Sequence, residues 1–302
     1  MVLLAAIVNY RSSTYLEACL NSLAEAGVDR AAVVDNYSSD EERAEVRKVA
    51  ERSQITVTVV LSDSNPGFGA AVNRAVRALK ALETDLIWIV NPDAVVTREA
   101  AVGLSSRILH GRVDVVSPLI VTGDPVTPSV WFGGGHIDTR AGRTIHLHLG
   151  DDPRTLSGLQ DVTFVTGAAP MLMAKTFDAL GGFREDLFLY WEDADLSRRA
   201  TAADMRLAVD LDSIVWHAVG GSGDAEGRSA AYYRFMQRNR LIVCSRWTSR
   251  WNLVIGMGSV ETVKLLLRPL KERFGRFEKF QAGVAGLLDG FANAATRPDD
   301  RR

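Results

Sequence analysis

Leu86-Ile-Trp-Ile-Val-Asn-Pro-Asp93 joins five apolar residues to a turn that ends in a carboxylate, and it completes the pattern that decides the fold. An unbroken apolar run of that length, bounded by turn chemistry, reads as a buried strand. Working upstream, a helix covers Gly69 to Leu82 and a strand runs from Thr56 to Leu61. Before them come a helix from Glu41 to Arg52, a strand from Ala31 to Val34, a helix from Tyr15 to Ala26 and a first strand from Leu3 to Val8. The order is βαβαβαβ. Such alternation predicts an α/β fold with a mostly parallel central sheet, helices on both faces, and ligands at the carboxyl ends of the strands. The polar segments there are Asn9-Tyr-Arg-Ser-Ser13, Asp35-Asn-Tyr-Ser-Ser-Asp40, Ser64-Asn-Pro-Gly-Phe-Gly69 and Asn91-Pro-Asp93.

Beyond residue 100 the pattern becomes mixed. A helix from Ala100 to Leu109 precedes a strand from Val113 to Ser117, and the Gly, Thr and Pro-rich stretch from Val121 to Gly150 reads as hairpins or a mobile flap. A strand from Asp161 to Thr166 leads into Gly167-Ala-Ala-Pro-Met-Leu-Met173. A helix from Lys175 to Leu180 ends on Gly181-Gly182 as a C-cap. Another helix reaches about Ala203, followed by strands from Arg206 to Asp210 and from Ser213 to His217. These elements delimit a first unit over residues 1–245.

Residues 246–302 read as a C-terminal amphipathic helical extension. Val263, Leu267, Leu270, Phe274, Phe277 and Val284 recur at three- and four-residue steps, with Lys264, Arg268, Lys271, Arg273, Arg276 and Lys279 expected on other faces and Pro269 splitting the helix. Such a segment either packs on the core or on a second subunit, giving a homo-oligomer, or rests on an anionic membrane surface.

With 302 residues, 47% of them hydrophobic, the chain can bury a large core. A net charge of -2 gives no global attraction to nucleic acid. Two cysteines, Cys19 and Cys244, suggest neither a disulfide framework nor a zinc site, so a cytoplasmic setting is expected. The apolar start, Met-Val-Leu-Leu-Ala-Ala-Ile-Val, lacks a basic n-region and reads as a strand rather than a signal peptide.

Phe188-Leu-Tyr-Trp-Glu-Asp-Ala-Asp-Leu-Ser-Arg-Arg199 is the strongest chemical signal. Glu192, Asp193 and Asp195 at a helix start, with arginines one turn on, are what the helix dipole favours in any protein. The aromatic lead-in adds a semi-apolar pocket, in which a carboxylate suits the role of general base toward a sugar hydroxyl. Asp93 can offer oxygen to a hard divalent cation, and His217 can be a second ligand; each also reads as a turn or strand-end residue. Asp35 is placed to meet a nucleoside donor group or to cap a turn. A dinucleotide fold is disfavoured, since Gly-x-Gly-x-x-Gly is absent after the first strand. Asn65-Pro-Gly-Phe-Gly69 and Asn73 suit a phosphate or sugar loop opening a helix, or an ordinary β-to-α turn.

In this order the segments resemble an inverting family 2 glycosyltransferase of the GT-A fold, especially its rhamnosyltransferase-like branch. The resemblance runs from Leu3 to Leu241. It is carried by Val8-Asn-Tyr-Arg11, Val34-Asp-Asn-Tyr-Ser-Ser-Asp40, Asn65 to Asn73, Asn91-Pro-Asp93, Gly167-Ala-Ala-Pro-Met171, Gly182-Phe-Arg-Glu185, Trp191-Glu-Asp-Ala-Asp-Leu196, Trp216-His217 and Arg238-Asn239.

That resemblance implies a hexosyltransferase acting on a nucleotide-diphospho-sugar, with dTDP-rhamnose the first expectation and UDP-galactofuranose or another hexose donor the alternative. It implies that Val8, Asn9, Tyr10, Arg11, Asp35, Asn36, Asn65, Gly67, Phe68, Gly69, Asn73, Asn91 and Asp93 line the donor site. Asp93 and His217 would bind Mg2+ or Mn2+, and Asp193 would deprotonate the acceptor. Gly167, Ala168, Trp191, Glu192, Asp195 and Arg238 would support the acceptor side.

The family's usual Asp-x-Asp metal motif is Asn91-Pro-Asp93 here, with one carboxylate fewer, a form that also suits the rhamnosyltransferase-like branch. The acceptor implied is a glycan or a polyprenyl-diphosphate-linked glycan of cell-wall or surface polysaccharide, at the inner face of the membrane. The loop Gly220 to Gly227 and the Val121 to Gly150 flap are expected to select it. A sugar nucleotidyltransferase would want a Gly-rich, basic triphosphate loop after the first strand, and a non-catalytic sugar-nucleotide binder would not need Asp193.

Overall fold

The computed structural model describes residues 1–218 and 227–295. Strands β1 (Leu3–Asn9), β2 (Arg30–Asp35), β3 (Thr56–Leu61) and β4 (Leu86–Val90) alternate with helices α1 (Ser13–Glu25), α2 (Asp40–Arg52) and α3 (Phe68–Leu79). These four strands pair in parallel, in the order β4-β1-β2-β3. Residues Leu4 to Ile7 and Ile87 to Val90 are almost wholly buried, since helices cover both faces of the sheet.

The remaining elements extend the sheet past β4. A short β5 (Ala94–Val95) is followed by α4 (Arg98–Leu109), β6 (Val115–Asp124), β7 (Thr127–Phe132), β8 (Gly135–Asp138), β9 (Arg143–His146), β10 (Leu159–Val162), β11 (Met171–Met173), α5 (Ala174–Ala179), α6 (Glu192–Ala202) and β12 (Leu207–His217). The full order is β10-β12-β6-β11-β4-β1-β2-β3. β11 is antiparallel to both β4 and β6, and so wedges Gly167 to Pro170 against the end of β4.

Two expectations change here, and a third, of hairpins between Val121 and Gly150, is met. The strand expected over Asp161 to Thr166 is the shorter β10. The two strands expected at 206–210 and 213–217 are one strand whose register shifts between Asp210 and Ile214; the buried Asp210 is held there by Arg107 and Ser213. The flap is built of ordered hairpins, β6–β7 and β8–β9, around the rings of Phe132, His146 and Phe164. Burial lowers the pKa of His146 within that cluster.

α7 (Ala230–Cys244) was not read from the sequence. It carries α8 (Arg250–Ile255), α9 (Ser259–Leu267), a 3-10 turn at Arg268–Lys271 and α10 (Arg276–Asn293). Buried Arg240 donates to Thr262 and to the Gly258 carbonyl, and burial draws its pKa down to about 10.

The C-terminal stripe, expected either to pack or to form an amphipathic surface, is not packed on the core. α10 meets α7 through Gly283, Gly286 and Gly290, all buried. A Cβ on Gly290 would lie 2.6 Å from the Arg238 carbonyl oxygen. The close approach of two backbones uses the glycine face, so Val263, Leu267, Leu270, Phe274 and Phe277 are exposed rather than packed on the core, and Val284 is half-buried. On α9, Lys264 shares the exposed face with Val263 and Leu267. The 3-10 turn at Pro269 divides the helices as expected. No helix among the described residues is long and apolar enough to cross a membrane.

Candidate active site

Asn91, Pro92 and Asp93 form the turn between β4 and β5, and β5 pairs with the end of β12, setting His217 opposite Ala94. That pairing brings His217 Nε2 to 3.0 Å from Asp93 Oδ1. Asn91 Nδ2 lies 3.3 Å from the same nitrogen. The Trp131 ring of β7 covers the imidazole, with centroids 4.9 Å apart. His217 Nδ1 is buried without a partner among the described residues.

Two ligands about 2.1 Å from an octahedral cation, at right angles, are about 3 Å apart, so this carboxylate and imidazole fit one edge of such a shell. No group of three His, Cys, Asp or Glu side chains that could hold a metal occurs among the described residues. Among the described residues, the Asp93 carboxylate and the His217 imidazole are thus the pair whose spacing fits such a cation.

The other half of the site is the start of α6. Asp193 is half-buried; its Oδ2 accepts from Gly167 N at 3.2 Å and its Oδ1 from Ala194 N at 2.8 Å. Burial raises its pKa, opposed by those two N–H groups and the Thr166 hydroxyl. Glu192 is buried with Oε2 unpartnered among the described residues, and burial, then the charge of Asp193, push its pKa well above the usual glutamate range. Both carboxyls are thus raised, Glu192 the more strongly, and they titrate as an interacting pair.

One dipeptide joins the two halves. Gly167 donates to Asp193, and the Ala168 carbonyl accepts from Asn91 N at 2.9 Å. A Cβ on Gly167 would lie 2.9 Å from the Phe68 ring, so only glycine leaves room there. Backbone strain also gathers at this point: Tyr190 and Trp191 are both left-handed, with φ of 67° and 71°.

The donor-side residues divide into exposed and sealed groups. Tyr10 is exposed and Arg11, at φ 55°, lies over its ring. Val8, Asn9, Asp35 and Asn36 are buried. Asp35 accepts from Asn9, Ser38 N and Arg43, which hold its carboxylate beneath the loop. Asn9 Oδ1 and Asn36 Oδ1 remain buried acceptors without a donor among the described residues.

Asn36 holds Asn65 at 2.8 Å, and Asn65 Oδ1 takes the Gly67 N–H. The α3 N-terminus, expected to face an anion, spends its Phe68 N–H on the Phe188 carbonyl at 2.9 Å. A Cβ on Gly69 would lie 2.8 Å from Phe183 Cβ, and Asn73 spends its amide on Phe183 and Glu185. These residues brace the 183–188 segment from below. Asp195, wholly buried, pairs with Arg199 at 2.6 Å and Arg184 at 3.4 Å and so anchors α6. A cavity of about 560 Å³ between α3 and α5 has neither Asp93, Asp193 nor His217 in its lining and is separate from this site.

A model of glycosyl transferase family 2 matches residues 5–181, more than half of the chain. The chain belongs to glycosyl transferase family 2. It is a glycosyltransferase with a GT-A fold.

The chain is 26% identical over 305 residues to the low-salt glycan biosynthesis hexosyltransferase Agl10 of Haloferax volcanii, covering 97% of this chain and 92% of the relative. It is 26% identical over 260 residues to an N-acetylglucosaminyl-diphospho-decaprenol L-rhamnosyltransferase of Mycobacterium tuberculosis, covering 77% and 82%. Among solved structures, GalNAc-T7 with UDP, GalNAc and Mn2+ superposes with a TM-score of 0.65 at 13% identity, over 93% of this chain and 54% of that longer one. S. aureus TarS 1-349 in complex with UDP-GlcNAc gives 0.53 at 16% identity, over 97% and 74%.

This family 2 glycosyltransferase also uses residues whose roles sequence reasoning did not assign. Asn239 on α7 donates to the carbonyls of Leu189 and Tyr190 at 2.9 and 2.8 Å, while Arg238 donates to Asn239 Oδ1 and the Asp186 carbonyl. For Asn239 the signal in the sequence was membership of the Arg238-Asn239 segment of the family resemblance. Trp131 and Thr166 carried none. Loop Gly220 to Gly227, expected to select the acceptor, lies outside the described residues except for Gly227.

Proposed function

We propose that this transferase moves a hexose, with L-rhamnose from dTDP-rhamnose the first choice, from a nucleotide-diphospho-sugar to a hydroxyl of a glycan or polyprenyl-diphosphate-linked glycan, inverting the anomeric centre. The observation that carries this reading is the Gly167-Ala168 dipeptide, which couples a base-competent carboxylate to the Asp93–His217 pair. The relatives named for hexosyl and L-rhamnosyl transfer support the sugar class.

In this reading residues 1–245 are the catalytic unit and residues 246–302 an attached helical region. Asp35 and the Asn9-Tyr-Arg11 loop hold the base and ribose of the donor, with Tyr10 and Arg11 on the exposed side. Asp93 and His217 hold Mg2+ or Mn2+; a divalent ion there supplies Lewis-acid stabilisation of the charge developing on the departing diphosphate. Asp193 takes the proton from the acceptor hydroxyl at its free lone pairs, as that oxygen forms its bond to the anomeric carbon and the bond to the diphosphate oxygen breaks. Gly167 N–H keeps the carboxylate aimed, and Trp131 and Trp191 keep bulk water from both ends of the site.

Thermal stabilisation by dTDP, UDP and GDP, with and without Mg2+, identifies the donor base, because a ligand that binds the folded state raises stability by mass action. NMR of the product's anomeric proton then gives the stereochemistry. A shift with dTDP or UDP that depends on Mg2+, with inverted product, supports the proposal; a retained anomer or no shift with any diphosphate overturns it.

A further inference from the structure

We infer that the surface made by α9, the 3-10 turn and the start of α10 is a docking face for an anionic lipid bilayer. Val260, Val263, Leu267, Leu270, Phe274 and Phe277 all stand exposed there, Val260 at 74% and Phe277 at 70%. On α9 the exposed residues fall at 260, 263, 264 and 267, which is one helical face, while Thr262 and Leu265 face inward. α9 thus buries Thr262 and Leu265 while Val260, Val263 and Leu267 stay outward. Exposed apolar side chains gathered in this way mark an interaction site.

The charges choose the occupant. Lys264, Arg268, Lys271, Arg273 and Arg276 stand among these apolar side chains, and all five are exposed. Lys264 pairs with Glu261 at 3.3 Å. Arg268, Lys271, Arg273 and Arg276 lie within 4 Å of no carboxylate among the described residues. A second copy of this chain is a poor fit, since a twofold interface sets the same patch against itself and brings like charges together. A bilayer takes the aromatic and aliphatic side chains at the acyl boundary while acidic headgroups meet the cations above them.

The face is tied to the transferase site. Below it, α10 packs on α7 through Gly286 and Gly290, and Arg238 of α7 bridges Asp289 at 2.9 Å and the 186–190 loop that leads into Asp193. Docking would therefore hold the acceptor side of the cleft at a fixed height above the lipid. The docking itself stands on the surface alone and does not depend on which sugar is moved.

The test is flotation of the full chain with vesicles of phosphatidylglycerol and phosphatidylcholine in equal parts, against phosphatidylcholine alone. The expected result is flotation with the anionic vesicles, weakened by salt. Lys271→Glu, Arg273→Glu and Arg276→Glu together lower partitioning by about a hundredfold or more, as each cation near an anionic surface contributes about a fivefold gain. Phe274→Ser with Phe277→Ser lowers it by about tenfold or more. Both variants retain thermal stabilisation by the nucleoside diphosphate that stabilises the parent, so lost flotation is not lost folding or a lost donor site. Absence of flotation by the parent chain, or flotation indifferent to the triple charge reversal, overturns the proposal. So does a concentration-dependent dimer that the two phenylalanine changes dissolve, which would assign the face to a second copy.

Discussion

Asn239→Ala separates the chemistry of the site from its binding. Asn239 gives both amide hydrogens to the carbonyls of Leu189 and Tyr190, immediately ahead of two left-handed residues, Tyr190 and Trp191. Each such non-glycine conformation costs roughly 1–2 kcal/mol, and persists only because neighbouring groups impose it. Removing the amide leaves two carbonyls short of donors, a loss of about 2–4 kcal/mol at about 1–2 each. The loop then relaxes toward ordinary φ, and because the Trp191 carbonyl accepts from Asp195 N at 2.8 Å, the first turn of α6 moves with it.

A displacement near 1 Å at Asp193 lowers turnover by about a hundredfold. The donor ligands Asp93 and His217 lie on other elements, so the donor KM stays near the parent value. Steady-state transfer at saturating donor gives kcat and KM, and thermal denaturation gives the stability loss. Asn239→Ala with Tyr190→Gly should recover part of the stability, since glycine occupies positive φ without penalty, yet not the turnover. An unchanged kcat in a destabilised Asn239→Ala protein, or a rise confined to the donor KM, would refute the positioning role.

Other consequences follow from single contacts. Because burial raises the pKa of Asp193, the acid limb of kcat should lie above the ordinary aspartate range, with turnover lost as pH falls through it; Thr166→Val removes an opposing hydroxyl and should move that limb to higher pH in a pH–rate profile. The raised pKa of Glu192 means that its buried carboxyl favours the folded state below its unfolded pKa, and that this contribution is lost as pH rises through the folded value. Glu192→Gln should therefore lessen the fall of Tm toward alkaline pH. Gly290→Val forces a side chain against the Arg238 carbonyl and should destabilise by about 1–3 kcal/mol, read in urea denaturation. His217→Ala should abolish the Mg2+-dependent part of stabilisation by nucleoside diphosphate while leaving the metal-free part.

The parallel half of the fold was legible because its signals are local. Apolar runs such as Leu86 to Val90 and the turn residues between them fix strands without knowledge of distant partners. β11 escaped notice because three residues, Met171 to Met173, make no periodic pattern. α7 escaped because its inward face carries Gln237, Asn239 and Arg240 as well as apolar groups, blurring the amphipathic signal. Which alternative the C-terminal stripe follows was hidden for a related reason: backbones that approach through Gly286 and Gly290 need no apolar seam.

At the site, residue types were visible but partners were not. Asp35 stands at a strand end where ligands collect and Asn73 midway along α3, and the sequence did not show that their polar atoms meet Arg43, Phe183 and other protein groups. The 3.0 Å approach of Asp93 to His217 depends on the antiparallel pairing of β5 with the end of β12, which no local pattern encodes.

The most direct test of the account is donor binding and sugar transfer measured side by side in Asp193→Asn. This substitution keeps size and polarity while removing the proton acceptor. The account predicts donor affinity like that of the parent, by calorimetry with the nucleoside diphosphate and Mg2+, together with a loss of transfer of about a hundred- to ten-thousandfold. Transfer close to that of the parent would contradict the assignment of Asp193 as the base.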